Sequence, residues 1–289
     1  MFAHGDNLAG KEQHQTKYRD TKSRLYLGQI RKKYNFWKAA NLALDGPLPV
    51  ATARDIAIIE KRTALLNEYK DFVDQEHFAT KFDSRSNLHS SILEEFMFYL
   101  FKDLVVGIDK HALFGKSHTF KDIFFTGDGF GDMVRNPRIL VEKKDHDFAI
   151  GLKIIAQLEP RGSDTKIRDE WDIPIVTIEC KTYLDKTMLQ DASSSAGVVK
   201  LRSPNGLCIV VAEWLKLTEA VNLHKFNLDQ IFVLRKQRNT DREFRYREGY
   251  VKNPIYPDAV AELFSLVRTH LTTDWSKGIS GGLKKGFLI

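Results

Sequence analysis

The sequence predicts an α/β (α+β) protein in which a β-sheet flanked by helices follows an N-terminal helical subdomain. Three observations predict it. Apolar positions recur at helical spacing through the first 80 residues with no strand signal between them. From residue 86 onward, short β-branched or aromatic runs alternate with helical stretches, the texture of layered sheet and helix. Hydrophobic residues make up 43% and charged residues 28% of 289 residues, enough apolar chain for a large core and too much for a disordered or low-complexity protein.

Between Asp20 and Asp45, Leu25, Leu27, Ile30, Tyr34, Trp37 and Ala40 mark a helix that Gly46-Pro47 closes. From Thr52 to about Phe78 a second helical pattern runs through Ile56, Ile59, Ala64, Leu65, Tyr69, Phe72 and Val73. Ser86 or Asn87 caps a third, strongly apolar helix that reaches about Leu104. Strands are expected at Ile123–Phe125, Phe148–Ala156, Pro174–Cys180, Leu207–Ala212 and Gln230–Leu234, and helices at Asp185–Leu201, Leu215–Leu223 and Asp258–Leu271. The division is therefore 1–85, helical and basic, and 86–289, the sheet-containing core with a glycine- and lysine-rich tail expected to be mobile. No apolar run approaches the roughly 18 residues of a membrane span. The N-terminus has no apolar leader, so the expected location is the cytoplasm.

The formal charge is +6, and residues 1–40 hold nine Lys/Arg against three acids. A second basic stretch, RKQRNTDREFRYR, interleaves Arg235, Lys236, Arg238, Arg242, Arg245 and Arg247 with Gln237, Phe244 and Tyr246. Such clusters suit a polyanion surface, and equally a solvated face. Cys180 and Cys208 are too few and too far apart for a disulfide framework or a zinc ribbon and read as packing residues.

The most specific chemical signal is IPIVTIECKTYLDK. Period two puts Glu179 and Lys181 on one sheet face, with Ile178 and Cys180 on the other. Charge interrupting an apolar strand needs a reason, and Asp147 opens an earlier strand-like run in KKDHDFAIG. If those strands pair, two carboxylates and an ammonium converge. Such carboxylates suit Mg2+, and the ammonium suits orienting water or offsetting phosphate charge. Another Glu-x-Lys, Glu142-Lys143-Lys144, lies in a polar stretch without strand signals and reads as a chance match. The glycines of Gly127–Gly131 read as a turn between strands, because their spacing is not that of a nucleotide loop. His146 reads as a polar edge residue, the histidines form no zincin pair, and Ser193–Ser195 lacks a nucleophile elbow.

Asp147, Glu179 and Lys181 resemble the motif of the PD-(D/E)xK nuclease superfamily. The strings SRSNLHSSILEEFMFYLF, DHDFAIG and IPIVTIECKTYLDKTMLQDA resemble the Bpu10I-like type II restriction endonucleases over residues 85–235. The resemblance implies a central mixed β-sheet flanked by helices, the restriction-endonuclease-like core. It implies Mg2+ on Asp147 and Glu179, with Lys181 as catalytic lysine, and cleavage to 5′-phosphate and 3′-hydroxyl ends. Many members add a helical glutamate, matched by Glu94 or Glu95, which a helical wheel at about 100° per residue does not separate. His146 stands where the name pattern has proline. Gln190 is followed four residues later by Ser194, not the tyrosine of exonuclease-type relatives, which favours a site-specific endonuclease.

One chain offers one such site, so cutting both strands of double-stranded DNA together needs two chains. The resemblance implies a homodimer or a heterodimer with a related subunit, and a cognate DNA methyltransferase as functional partner. Contacts to DNA are expected from Arg31, Lys32 and Lys33 and from the 235–247 segment. The alternatives are a DNA-binding subunit that does not cleave and a structure-specific repair nuclease.

Overall fold

In the computed structural model, which describes residues 2–82, 87–161, 166–238, 246–275, 283 and 284, the first 82 residues form four helices: α1 (Ala3–Gln13), α2 (Thr21–Leu42), α3 (Asp55–Val73) and α4 (Glu76–Lys81). Asp20 caps α2, its carboxylate accepting from the Ser23 amide at 3.0 Å. The predicted stripe Leu27, Ile30, Tyr34 and Trp37 is buried, and Trp37 stacks on Tyr69 of α3 with ring centroids 5.0 Å apart. The pattern expected to run to Phe78 instead breaks after Val73, and the chain restarts as α4. α1 has no separate apolar signature, because most of what it buries is polar or small: His4, Gly5, Leu8 and Lys11.

Helix α5 (Ser90–Ile108) is the hub, with twelve buried side chains that include Ile92, Phe96, Tyr99 and Phe101. It touches α1 and α3 as well as three strands, which explains its apolar character on nearly every side. Its start lies beyond the cap expected at Ser86, which is outside the described residues, or at Asn87.

The sheet has five strands, β1 (Leu113–Thr126), β2 (Arg138–Leu158), β3 (Ile167–Leu184), β4 (Leu207–Leu215) and β5 (Gln230–Val233), in the order 1-2-3-4-5. The first two pairings are antiparallel and the last two parallel, so the sheet is mixed. Helix α6 (Phe130–Arg135) sits in the β1–β2 connection, filling the turn expected around Gly127–Gly131. Helix α7 (Lys186–Arg202) makes the β3-to-β4 crossover that a parallel pair requires. Asp185 caps it through the Met188 amide at 2.8 Å. Helix α8 (Pro257–Thr272) opens on a proline at its first turn.

The strand β4 is buried on both faces: Ile209 and Val211 join the core shared with α5 and α8, while Val210 and Ala212 join a second cluster with Leu189 and Ala192 of α7. The main core is continuous from Leu8 of α1 to Val267 of α8, so the N-terminal helices and the sheet bury apolar surface together. The boundary expected between residues 85 and 86 lies outside the described residues, as does most of the tail expected to be mobile.

Two further expectations fail. Glu142–Lys144 lies in β2, paired with Asp122 to Thr119 of β1. Residues 142–145 of β2 are all exposed, so this part of the strand carries no apolar alternation, although its partner Thr119 is buried. Residues 215–223 are not helical. The Leu215 and Lys216 amides donate to Gln237 and Leu184 carbonyls, prolonging sheet-like pairing, and only a short 3-10 turn follows at Leu223–Lys225. Among the described residues no helix is long and apolar enough to cross a membrane.

Candidate active site

The register of β2 against β3 pairs Phe148 with Ile178, which sets Asp147 beside the strand position of Glu179. Ile178 and Cys180 enter the main core, leaving Glu179 and Lys181 for the other face, as period two requires. Asp147 Oδ2 accepts from the Cys180 amide at 2.9 Å and from Lys181 Nζ at 2.8 Å. The same ammonium donates to Glu179 Oε2 at 2.9 Å. The remaining oxygen, Glu179 Oε1, lies 2.9 Å from His146 Nδ1. Four residues beyond Asp147 the ladder shifts register at Gly151, where a Cβ would lie 2.2 Å from the Ile173 carbonyl oxygen, so β2 bends there only with glycine. A cleft of about 300 Å3, lined by Glu94, Asp147, Lys181, Tyr183, His89 and Asp74 among others, opens over the cluster.

The groups perturb one another strongly. Burial pushes the Asp147 carboxyl up, and the Glu179 charge adds to it against the pull of Lys181. Burial also acts on Glu179, but the hydrogen bond from His146 and the Lys181 ammonium outweigh it and hold this carboxyl down to about 2. Lys181, whose burial favours the neutral amine, is driven above the usual lysine range by its two carboxylates. Glu94 is pushed up to about 7 by burial and then by Asp147, with Glu179 adding and Lys116 and Lys181 opposing.

The two adjacent helix glutamates separate here. Glu94 lines the cleft and feels Asp147, Glu179 and Lys181. Glu95 faces away, where its Oε2 accepts from the amides of His4 and Gly5 at 2.9 Å each and its Oε1 from the Tyr99 hydroxyl. A carboxylate so placed satisfies two free amides of the first turn of α1 and complements its dipole. It anchors that helix.

The raised Glu94 carboxyl has a consequence for stability. The folded chain keeps this proton up to about pH 7, whereas an unfolded glutamate loses it near 4.5. Metal-free stability therefore falls as pH rises through that window, by at most about 3 kcal/mol from this group. Glu94→Gln is expected to raise the melting temperature of the metal-free protein at about pH 8, to change it little at about pH 5, and to weaken divalent-cation binding. Thermal melts at both pH values with and without Mg2+ check this.

Among the described residues, no three His, Cys, Asp or Glu side chains converge as a ready-made cage. The donor set nevertheless fits a hard dication that keeps several waters. Asp147 and Glu179 both hold one shared ammonium, and a cation would relieve the like-charge crowding that, after burial, raises Asp147 and Glu94.

The basic residues divide by burial. Arg235 is wholly buried, pairing with Glu213 at 2.9 Å, donating to the Asn253 carbonyl at 2.6 Å and lying over Trp214. Its expected DNA contact is therefore corrected: a guanidinium with no exposed surface cannot meet a phosphate. Glu213 is also held by Lys70 of α3 at 2.7 Å, so this buried network ties the N-terminal helices to β4. Arg31 is largely spoken for, forking onto Glu12 at 2.8 and 2.9 Å to fasten α1 to α2. The Gln237 amide bridges the Val251 carbonyl and the Asn253 amide. Lys32, Lys33, Lys236, Arg238 and Arg247 are exposed, with Lys33 near Glu68, Lys236 on Asp258 and Arg238 on Glu219. Arg242 and Arg245 lie outside the described residues.

Two residues escaped the sequence reading. His146 is not a polar edge residue but a buried partner of Glu179, whereas its neighbour Asp145 is exposed and pairs with His118. Its adjacency to Asp147 was the available signal. Lys116 of β1, exposed and close enough to depress the Glu94 carboxyl, had none, because the β1 register is set by pairing with β2.

No curated protein matches the sequence. Among solved structures, a chain described as "native BbvCI A2B2 tetramer at low resolution" is similar in fold, with a TM-score of 0.70 and 16% identity over 94% of this chain and 98% of that one. The family model described as Bpu10I restriction endonuclease matches residues 85–286, a span that holds α5, the five strands, α7 and α8 with Glu94, Asp147, Glu179 and Lys181. With the motif strings and more than half of the chain in agreement, this protein belongs to the Bpu10I restriction endonuclease family.

Proposed function

We propose that the chain is a Mg2+-dependent type II restriction endonuclease subunit that hydrolyses phosphodiester bonds of double-stranded DNA at a specific short site, leaving 5′-phosphate and 3′-hydroxyl ends. The observation that carries this reading is the convergence of Asp147, Glu179 and Lys181 beneath the cleft of a chain in this family.

Asp147 and Glu179 hold the cation, and Glu94 stands within electrostatic reach of both. Mg2+, when bound, offsets charge on the scissile phosphate and lowers the pKa of the attacking water. Lys181 commits two of its three N–H donors to the carboxylates and keeps one for a water or a phosphate oxygen. A donor fixed from both sides meets the developing negative charge without reorganising. The cleft walls then need only present the phosphate in line with that water.

Among the exposed cations of the described residues, Lys32, Lys33, Lys236, Arg238, Arg247 and Lys116 are proposed to meet phosphates. One site per chain leaves the second strand to another chain. The A2B2 assembly named for the structurally similar protein supports a related second subunit as that partner. A cognate methyltransferase would protect the host copy of the site.

The test is digestion of unmethylated phage DNA with Mg2+, by the chain alone and mixed with a related subunit. Discrete fragments whose ends ligate directly are expected. DNA binding without cutting in every mixture would make the chain a binding subunit, and nicking only at branched junctions would make it a repair nuclease.

A further inference from the structure

We propose that His146 is a positioning residue for Glu179, the imidazole that fixes the orientation of the carboxylate meant for the divalent cation. The inference rests on the reading of the site given above and assigns a role to a residue outside its motif.

The geometry is specific. His146 is 2% exposed, sits one residue before Asp147 in β2 opposite Ser117 of β1, and places Nδ1 2.9 Å from Glu179 Oε1. Lys181 holds the other oxygen, Oε2, at 2.9 Å. Each oxygen of Glu179 therefore has its own donor, and rotation about the last side-chain bond is stopped from both sides. A glutamate has three side-chain torsions to settle before it can serve as a ligand, and a donor that settles them in advance removes that ordering from the binding step.

The tautomer follows from the partners. A carboxylate only accepts, so Nδ1 carries the hydrogen. His146 Nε2 is buried without a hydrogen-bond partner. The Nδ1–H donor orients Glu179 through the oxygen that Lys181 does not hold. Lys181, shared with Asp147 and bound to one oxygen of Glu179, cannot fix both oxygens alone. The strand pairing delivers the imidazole with the same register that delivers Asp147, so one stretch of β2 supplies both a ligand and the support of its partner.

The experiment uses the full chain with Mg2+ as the probe. Mg2+ affinity is measured by calorimetry without DNA, and single-turnover cleavage and melting temperature are measured for His146→Ala, His146→Asn and Glu179→Ala. His146→Ala is expected to weaken Mg2+ binding and to slow cleavage, each by about 10- to 100-fold, with DNA affinity retained. His146→Asn, whose amide can donate from near the Nδ1 position, is expected to recover most of both losses. It also carries the test if the alanine variant does not fold. Wild-type Mg2+ affinity in folded His146→Ala, or no recovery in folded His146→Asn, overturns the inference. Glu179→Ala separates the levels: weakened Mg2+ binding there, with His146→Ala unaffected, rejects only the role of His146. Unchanged Mg2+ affinity in Glu179→Ala rejects the site reading and this inference with it.

Discussion

Lys181→Met is expected to slow cleavage of duplex DNA by between about 10^2- and 10^4-fold while leaving DNA affinity near the wild-type value. The ammonium is the hub of the cluster, within 2.9 Å of both carboxylates. Its removal takes away the one donor left for water or phosphate. It also leaves Asp147 and Glu179 facing each other in a half-buried site with no cation between them, so the Asp147 carboxyl, already raised, rises further. Two readouts check this. Single-turnover rates should fall, and Mg2+ should raise the melting temperature of the variant by more than that of the wild type, because the metal relieves a repulsion that Lys181 otherwise covers.

Arg235→Ala is expected to remove about 3–5 kcal/mol of folding stability, which for a chain of this size lowers the melting temperature on the order of 10 °C. The guanidinium is fully buried between Glu213, Asp74 and the Asn253 carbonyl. Its loss leaves Glu213, also buried, with Lys70 alone. Arg238→Ala and Lys236→Ala are expected to leave the melting temperature nearly unchanged, because their pairs with Glu219 and Asp258 are exposed and worth little. Thermal melts of the three variants side by side separate a structural arginine from surface cations only one to three positions away. Lost cleavage in Arg235→Ala alone therefore says nothing about DNA contact.

That contrast also marks what the sequence could reveal. Glu179 and Lys181 stood out because charge broke an apolar strand, and their face follows from period two alone. Asp147 needed strand pairing, which its own apolar run made easy to guess. The choice between Glu94 and Glu95 was not legible, because it depends on α1, a helix without an apolar stripe whose first amides claim Glu95. Arg235 looked like any member of a basic run, since the partners that bury it, Glu213 and Lys70, are remote in sequence. Of the outer β1–β2 hairpin only Ile123–Phe125 read as strand; the polar run Glu142–Asp145 was silent because all four residues are exposed, and apolar alternation reports only a half-buried strand. His146 was misread for a related reason: its character is set by Glu179 across the sheet, not by its neighbours in the chain.

Whether Asp147 and Glu179 carry the chemistry is decided by single-turnover digestion of unmethylated phage DNA with Mg2+, together with any related subunit the cleavage requires, comparing Asp147→Asn and Glu179→Gln with the wild type. Both substitutions keep side-chain size and remove one charge. Each variant is expected to lose at least about 10^3-fold in rate while binding DNA with the wild-type dependence on salt. Cleavage by either variant at the wild-type rate would place the chemistry elsewhere and contradict the assignment of this cluster.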